Sequence, residues 1–233
     1  MIDDSVGSRS DASSTAYYEG HAQAFFAATV DVDLVPLYAR FLREVPAGGR
    51  ILDAGCGSGR DARAFVARGY QVAACDASPT LARLASVHCG FPVRVLRFQE
   101  LDGPARFDGI WACASLLHVP LRELPDVLRQ LAAALRPRGV LYASFKHGRG
   151  ERAQGGRHFT DLDEAGLAAL VRAAPYFTEL ETWITRDRRP DRAAERWLNT
   201  LLEVRAPAPC ECPVHIGGSG VWRVGHECQL YRR

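Results

Sequence analysis

Short apolar runs alternate with helical patterns from about residue 50 onward, and this alternation constrains the fold more than any other feature of the sequence. The runs that we interpret as strands are RILDAG (50–55), YQVAACD (70–76), FPVRVLRF (91–98), FDGIWACAS (107–115) and VLYASF (140–145). Strands separated by helices form βαβ units with parallel strands and right-handed crossovers. The sequence therefore predicts an α/β fold in which an open, doubly wound, mainly parallel sheet of about seven strands carries helices on both faces.

Capping patterns and two later apolar runs complete this prediction. Ser58 is placed to cap the helix after the first strand. The pattern Thr160-x-x-Asp163 is similar to a capping box and predicts a further helix. The two later runs, FTELETWIT (177–185) and ERWLNTLLEV (195–204), are predicted to be edge strands.

The length of 233 residues predicts one domain with two extensions. Residues 1–16 carry acids and no apolar core, so we expect a disordered leader rather than a secretory signal. The domain is expected over 17–204, and 205–233 form a C-terminal extension of unknown role. Seven scattered cysteines are typical of reduced thiols, which predicts a cytoplasmic protein.

Charge and hydrophobicity argue against two classes of partner. The 29 Lys and Arg residues nearly balance the 27 Asp and Glu residues, which leaves a net charge of +2. A balance of this kind creates no strong field toward nucleic acid or an anionic membrane surface. No run approaches the roughly 20 apolar residues needed to span a bilayer. We therefore expect neither a nucleic acid nor a membrane as partner.

A glycine-rich loop follows the first predicted strand and precedes a helix. Its sequence, Asp53-Ala-Gly-Cys-Gly-Ser-Gly59, lets the backbone turn tightly and come close to a ligand. In doubly wound sheets, ligands bind beyond the carboxyl ends of the strands. Asp76, at the end of the second strand, is placed to accept hydrogen bonds from ribose hydroxyls. The loop and this acid together predict a nucleotide-like cofactor.

The spacing of the glycines distinguishes between cofactors. A dinucleotide fingerprint requires glycine where this chain has Arg60. Asp53 would repel a pyrophosphate but suits a ligand that carries an ammonium or a sulfonium. We interpret the loop as a site for a positively charged cofactor, the alternative being a glycine turn with no ligand.

The combined motifs closely resemble those of class I S-adenosylmethionine-dependent methyltransferases, over residues 17–204. ILDAGCGSG matches their first motif, VAACDAS the second, FQEL the third and FDGIWACASLLHVP the fourth. The resemblance implies a Rossmann-like sheet and S-adenosylmethionine as cofactor. Within the superfamily the chain is most similar to a small bacterial group often compared with tellurite-resistance methyltransferases, on the segments ASFKHGRGE, HFTDLDEAGL and RPDRAAERWLN.

The resemblance also implies a set of cofactor-binding residues. These are Asp53, Ala54, Gly55 and Gly57 of the first motif, Asp76 and Ala77 of the second, Phe98 and Gln99 of the third, and Ala114 after the fourth strand. Asp76 is expected at the ribose and Ala77 at the adenine. Gln99 stands where many relatives carry an acid, but its amide oxygen can still accept a hydrogen bond from the adenine amino group.

The segment AYYEGHAQAFFAATVDVD (16–33) is similar to the helical cap that closes over the cofactor in these enzymes. An aromatic face attracts a sulfonium cation. We select Tyr18 for this role. The alternative is that the aromatic side chains of this segment only bury the helix.

His118 is the best-placed candidate for a catalytic residue. It follows the fourth predicted strand, and the ordinary pKa of histidine lies near neutrality, as a general base requires. The alternative is a loop histidine that fixes the turn before Pro120 through bonds to the backbone.

Four basic residues predict the character of the acceptor. Lys146, His147, Arg157 and His158 surround the glycine-rich stretch after the fifth strand and would form a cationic mouth for an anionic acceptor. The alternative is an exposed loop with solvated charges.

The C-terminal extension carries Cys210, Cys212, His215, His226 and Cys228. Zinc takes four such ligands, but the usual C-x-x-C spacing is absent. We therefore predict an appendage without metal.

The leading functional hypothesis is methyl transfer from S-adenosylmethionine to a small-molecule nucleophile. Two alternatives remain: a protein that binds the cofactor without transfer, and an enzyme of the same fold with a different reaction. The oligomeric state is not predicted.

Overall fold

The computed structural model describes residues 7–189 and 192–205, with side chains from residue 14 onward. The predicted metal-free tail lies outside these residues. The helices are α1 (Gly7–Thr29), α2 (Val35–Leu42), α3 (Arg60–Val66), α4 (Pro79–Cys89), α5 (Leu124–Ala134) and α6 (Glu164–Ala173). The strands are β1 (Arg50–Ala54), β2 (Gln71–Asp76), β3 (Arg94–Val95), β4 (Phe107–Ala112), β5 (Leu135–Lys146), β6 (Gly150–Gln154), β7 (Arg157–Asp161), β8 (Phe177–Arg186) and β9 (Arg196–Val204).

Seven of these strands form one sheet in the order β3-β2-β1-β4-β5-β9-β8. Strands β1 to β5 pair in parallel, and β9 runs antiparallel to both β5 and β8. The predicted α/β class, with a doubly wound and mainly parallel sheet of seven strands, is confirmed.

The core lies on both faces of the sheet because successive strand residues point to opposite sides. Ile110 and Leu141 pack on one face with side chains of α5 and α6. Their neighbours Trp111 and Tyr142 pack on the other face with side chains of α2 and α3. The two apolar layers hold the central strands in place, and these strands fix the starting points of the loops that follow them.

Strands β6 and β7 form a separate two-stranded hairpin that the sequence analysis treated as a glycine-rich loop. The turn consists of Gly155 and Gly156, with φ angles of 57° and 76°. A two-residue hairpin turn with positive φ at both positions favours glycine. The hairpin therefore follows from this glycine pair, which the sequence analysis did not use.

Two predicted strands differ from those observed. The third covers only Arg94–Val95 rather than 91–98, because it lies at the sheet edge, where Pro92 also lacks a backbone donor. Strand β9 is not an edge strand, since it pairs on both sides. Its consecutive buried residues 198–202 fit this interior position.

Two predicted helix caps were also wrong. The N-cap of α3 is Gly59, while Ser58 stays within the glycine loop. The N-cap of α6 is Asp163, whose Oδ1 accepts a hydrogen bond from the Gly166 backbone N–H at 2.8 Å. Thr160 belongs to β7 and donates to the Val119 carbonyl instead. The chain enters α6 only after β7 has ended.

Helix α1 begins at Gly7, so the domain boundary predicted between residues 16 and 17 falls inside this helix. Ser14 is buried, and its Oγ accepts a hydrogen bond from the His158 backbone N–H at 3.0 Å. This contact ties the part of α1 before residue 17 to the hairpin. Among the described residues, no helix is long and apolar enough to cross a membrane.

Candidate active site

A cavity of about 810 Å³ opens at the carboxyl ends of the parallel strands. Its floor consists of the loops after β1, β2 and β4. Side chains of α1, of the β6–β7 hairpin and of the β8–β9 loop close its sides. This volume lies within the usual range for sites that bind small molecules.

The glycine loop lines the cavity with backbone atoms that carry no side chain at Gly55 and Gly57. Gly55 has φ of 75°, and a Cβ atom there would lie 2.5 Å from the Cβ of Ser115. Gly57 has φ of 54°, and a Cβ atom there would lie 2.9 Å from a ring carbon of Phe25. Both positions therefore exclude larger residues through backbone conformation and lack of space.

Asp76 links this loop to α4. Its Oδ2 accepts a hydrogen bond from the Gly57 N–H at 2.8 Å, and its Oδ1 accepts one from the Ser78 N–H at 2.9 Å. Burial raises the pKa of Asp76, and these backbone hydrogen bonds oppose the rise. The carboxyl group lines the cavity, as the sequence analysis expected.

Asp53 and Ala54 lie behind the loop and do not line the cavity. Burial, followed by the nearby Asp61 charge, raises the pKa of Asp53 well above its usual range. Its Oδ2 is buried without a hydrogen-bond partner among the described residues. The sequence analysis placed both residues at the cofactor, whereas the structure places them beneath the backbone that faces the cavity.

Arg60 and Asp61 line the cavity, although the sequence analysis did not select them as site residues. Asp61 accepts hydrogen bonds from Arg60 Nε at 2.6 Å, Tyr38 Oη at 2.5 Å and Trp111 Nε1 at 2.8 Å. Burial opposes ionisation of Asp61, but the Arg60 guanidinium and these donors lower its pKa. Arg60 also donates to the Thr29 carbonyl at 3.2 Å, so this pair connects the loop to the end of α1.

The remaining expected cofactor residues lie around the same cavity. Ala77, Phe98, Gln99 and Ala114 all line it. Gln99 Nε2 donates to a Glu123 carboxylate oxygen at 3.3 Å. Ala114 has φ of 52°, a left-handed conformation that is uncommon for alanine, and its N–H donates to Ser144 Oγ at 2.8 Å. Strained backbone of this kind concentrates at functional sites.

Helix α1 covers the cavity through polar contacts. The Glu19 carboxylate accepts hydrogen bonds from Ser78 Oγ at 2.5 Å and from the Thr80 N–H at 3.0 Å. One residue earlier, Tyr18 Oη lies 2.8 Å from His118 Nε2. These contacts fix α1 above both the second and the fourth strand.

His118 is hydrogen-bonded through both ring nitrogens. Nδ1 lies 2.7 Å from the His158 carbonyl oxygen and must donate to it, since a carbonyl only accepts. Nε2 therefore accepts the Tyr18 hydroxyl proton in the neutral ring. Burial lowers the pKa of His118 to about 4, so the ring is neutral at pH 7.

This pKa shift predicts a pH-dependent contribution to stability. The folded protein binds fewer protons at His118 than the unfolded chain between about pH 4 and 6.5, so stability falls as the pH drops through this window. Unfolding in urea at pH 7 and pH 4 should show the free-energy advantage of the wild type over His118→Gln shrinking by up to about 3 kcal/mol. An advantage that is the same at both pH values would contradict the assignment of a neutral, buried ring.

The predicted cationic mouth is only partly formed. Lys146, His147 and Arg157 line the cavity, whereas His158 does not. Lys146 forms ion pairs with Glu195 and with Asp187, and His147 lies 3.3 Å from Glu164. Carboxylates of the protein therefore already lie beside Lys146 and His147.

A family model described as "Methyltransferase domain" matches residues 26–182 of the chain. The chain belongs to this methyltransferase family. The expectation drawn from the four motifs is thereby confirmed.

The chain is also similar to two individual methyltransferases. The Ubiquinone biosynthesis O-methyltransferase of Xanthomonas axonopodis pv. citri (strain 306) is 37% identical over 106 residues, which cover 42% of this chain and 44% of that protein. The match thus spans less than half the length of this relative. The crystal structure of Burkholderia thailandensis 1,6-didemethyltoxoflavin-N1-methyltransferase, with bound 1,6-didemethyltoxoflavin and S-adenosylhomocysteine, superposes with a TM-score of 0.74 at 26% identity, covering 88% of this chain and 93% of that one.

The same sheet occurs with another reaction. The [4+2]-cyclase SpnF superposes with a TM-score of 0.63 at 18% identity, over 83% of this chain and 95% of that one, which shows a shared fold alone. The finer placement near tellurite-resistance methyltransferases stays a prediction.

Proposed function

We propose that this protein transfers a methyl group from S-adenosylmethionine to a small-molecule nucleophile. The observation that carries the proposal is one continuous cavity, which is lined by the glycine loop and Asp76 and also by Tyr18 and His118. The similar 1,6-didemethyltoxoflavin-N1-methyltransferase, whose structure holds 1,6-didemethyltoxoflavin and S-adenosylhomocysteine, supports it.

The residues around the loop fit the cofactor. The bare backbone at Gly55 and Gly57 leaves space that any Cβ atom would fill. Asp76 has carboxylate lone pairs left after its two backbone hydrogen bonds, which suits the ribose hydroxyls. We assign Ala77, Phe98 and Gln99 to the adenine, Ala114 to the region of the sulfonium, and Asp53 and Ala54 to support of the loop from beneath.

When bound, the cofactor supplies a methyl group that its sulfonium already activates. The protein then has to align the acceptor with this carbon and to exclude water. Helix α1 is placed to do both, because Glu19 anchors it to the start of α4 while Tyr18 reaches into the cavity.

His118 is proposed to act in the transfer step through Tyr18. Its Nε2 is occupied by the Tyr18 hydroxyl, so a proton from the acceptor would reach the ring only through that hydroxyl. His118 also fixes the position of Tyr18. Loss of a proton-transfer group lowers turnover by about a hundredfold or more, whereas loss of a positioning contact also changes the KM for the acceptor, so kcat and KM of His118→Gln distinguish the two roles.

The experiment that tests the function uses labelled cofactor. Protein is incubated with a metabolite extract and S-adenosylmethionine that carries an isotopically labelled methyl group, and products are analysed by mass spectrometry. A labelled small molecule is the expected result. Consumption of cofactor without a labelled product would favour a different reaction on this fold, and binding without consumption would favour a cofactor-binding protein.

Location and partners remain part of the proposal. The four cysteines in the described part of the chain are free thiols, which supports a cytoplasmic protein. The near balance of charge supports a small-molecule acceptor over a nucleic acid.

A further inference from the structure

Arg157 lines the cavity without a carboxylate partner, whereas several other cations of the cavity are paired. Lys146 pairs with Glu195, Arg152 with Asp161 and Arg60 with Asp61. Among the described residues, no carboxylate forms an ion pair with Arg157, and its Nε is buried without a hydrogen-bond partner. A buried N–H group without an acceptor is costly, so this arrangement suits an anion from outside the protein.

Aromatic rings hold the Arg157 guanidinium in place. Its central carbon lies 4.5 Å from the centroid of the Tyr17 ring, 5.1 Å from that of Phe159 and 6.0 Å from that of Tyr18. A guanidinium stacked in this way keeps its plane and directs its N–H groups along that plane. Arg157 starts β7 directly after the Gly155–Gly156 turn, so the hairpin fixes its backbone as well.

The same guanidinium lies near the Tyr18–His118 pair. Burial raises the pKa of Tyr18, and a hydrogen bond from Arg157 opposes this rise. After burial, the Arg157 charge also helps to lower the pKa of His118. A proton on His118 would therefore stand beside a fixed positive charge, whereas a negative charge on a bound acceptor would be stabilised there.

We propose that Arg157 binds the methyl acceptor as a flat, delocalised anion, such as a heteroaromatic ring or a phenol that has lost its proton. This inference rests on the proposed function. The flat shape follows from the Tyr18 and Phe159 rings that line the cavity near Arg157, and the charge follows from a guanidinium that no carboxylate of the described residues neutralises.

The transfer step then needs no base. A lone pair of the anionic acceptor atom forms the new bond to the methyl carbon, the sulfur–carbon bond breaks, and its electron pair stays on sulfur. A sulfonium and an anion thus give a neutral thioether and a neutral product. The product has lost the charge that Arg157 holds, which favours its release. This view competes with a general-base role for His118.

The test measures binding to the complex of the protein with S-adenosylhomocysteine. The probes are lumazine and 4-nitrophenol, at a pH where both are deprotonated, and their neutral counterparts 1,3-dimethyllumazine and 4-nitroanisole. Calorimetry should show each anion bound at least tenfold more tightly than its counterpart. Arg157→Gln should remove this preference and leave the affinity for S-adenosylhomocysteine within about threefold, and Arg157→Lys should retain part of the preference.

Arg149→Gln is the matched control, because Arg149 is an exposed residue directly before β6 that pairs with Asp163 and does not line the cavity. It should keep the full preference for the anions. A wild type that binds neither anion more tightly than its counterpart would overturn the proposal, as would a preference that survives in Arg157→Gln.

Turnover measurements distinguish a failure of this proposal from a failure of the proposed function. The total label transferred in the extract assay should fall about tenfold or more in Arg157→Gln, and it should stay near the wild-type level in Arg149→Gln. A smaller loss in Arg157→Gln would overturn the anionic acceptor while leaving methyl transfer established. Loss of S-adenosylhomocysteine binding in the wild type would instead count against the function as a whole.

Discussion

Gly57→Ala should weaken binding of S-adenosylhomocysteine by about a hundredfold, or roughly 2.7 kcal/mol. The added methyl group would lie 2.9 Å from a ring carbon of Phe25, so either the glycine loop or α1 must move. Movement of either one separates two walls of the cavity. Calorimetric titration of the purified variant measures the loss directly.

Gly69→Ala provides the control for backbone strain. Gly69 also has a positive φ, of 85°, but a Cβ atom there would meet nothing within 4 Å. Both variants should lose about 1–2 kcal/mol of stability from the left-handed backbone, but only Gly57→Ala should lose affinity. If Gly57→Ala binds within threefold of the wild type, the loop is not the cofactor cradle.

Asp76→Asn should weaken the same binding by about ten- to a hundredfold. Hydrogen bonds to a charged group contribute roughly 1.5–3 kcal/mol. The asparagine amide would also turn its NH₂ group toward the N–H of either Gly57 or Ser78, both of which now donate to the carboxylate. Calorimetry with S-adenosylhomocysteine provides the measurement, and a parallel titration with a nicotinamide dinucleotide should show no binding.

Asp108→Asn is the control for Asp76→Asn, because Asp108 lies at the opposite end of the sheet. Asp108 accepts a hydrogen bond from the Arg50 backbone N–H at 2.7 Å and pairs with Arg136, near the starts of β1 and β4. This variant should lose stability but keep its affinity for S-adenosylhomocysteine. Unchanged affinity in Asp76→Asn would remove the ribose assignment.

Features that depend on neighbouring residues in the chain were predictable from the sequence. The strand before Gly55, the strand that ends at Asp76 and the left-handed glycines between β1 and α3 all belong to local patterns. The short apolar runs also predicted β4 and β5, the strands on either side of α5. Together these features form the part of the cavity that is assigned to the cofactor.

Contacts between distant parts of the chain were not predictable in the same way. Glu19 caps the start of α4 across about 60 positions, and Tyr18 meets His118 across 100. The Arg60–Asp61 pair is adjacent in sequence, but its role depends on Tyr38 and Trp111, which the fold brings to it. Lys146 and Arg157 looked equivalent in the sequence, and only the positions of Glu195 and Asp187 distinguish them.

The antiparallel placement of β9 determines where the β8–β9 loop lies. Because β8 and β5 both run antiparallel to β9, the β8–β9 loop returns to the same edge of the sheet as the cofactor loops. Its residues 187–189, 192, 194 and 195 supply one wall of the cavity, and its ends are fixed by two paired strands. Loops held in this way tolerate insertions at little cost in stability, provided that Asp187 and Glu195 are kept as the partners of Lys146. Replacing the residues between Asp187 and Glu195 would therefore change one wall of the cavity and leave the first two motifs intact.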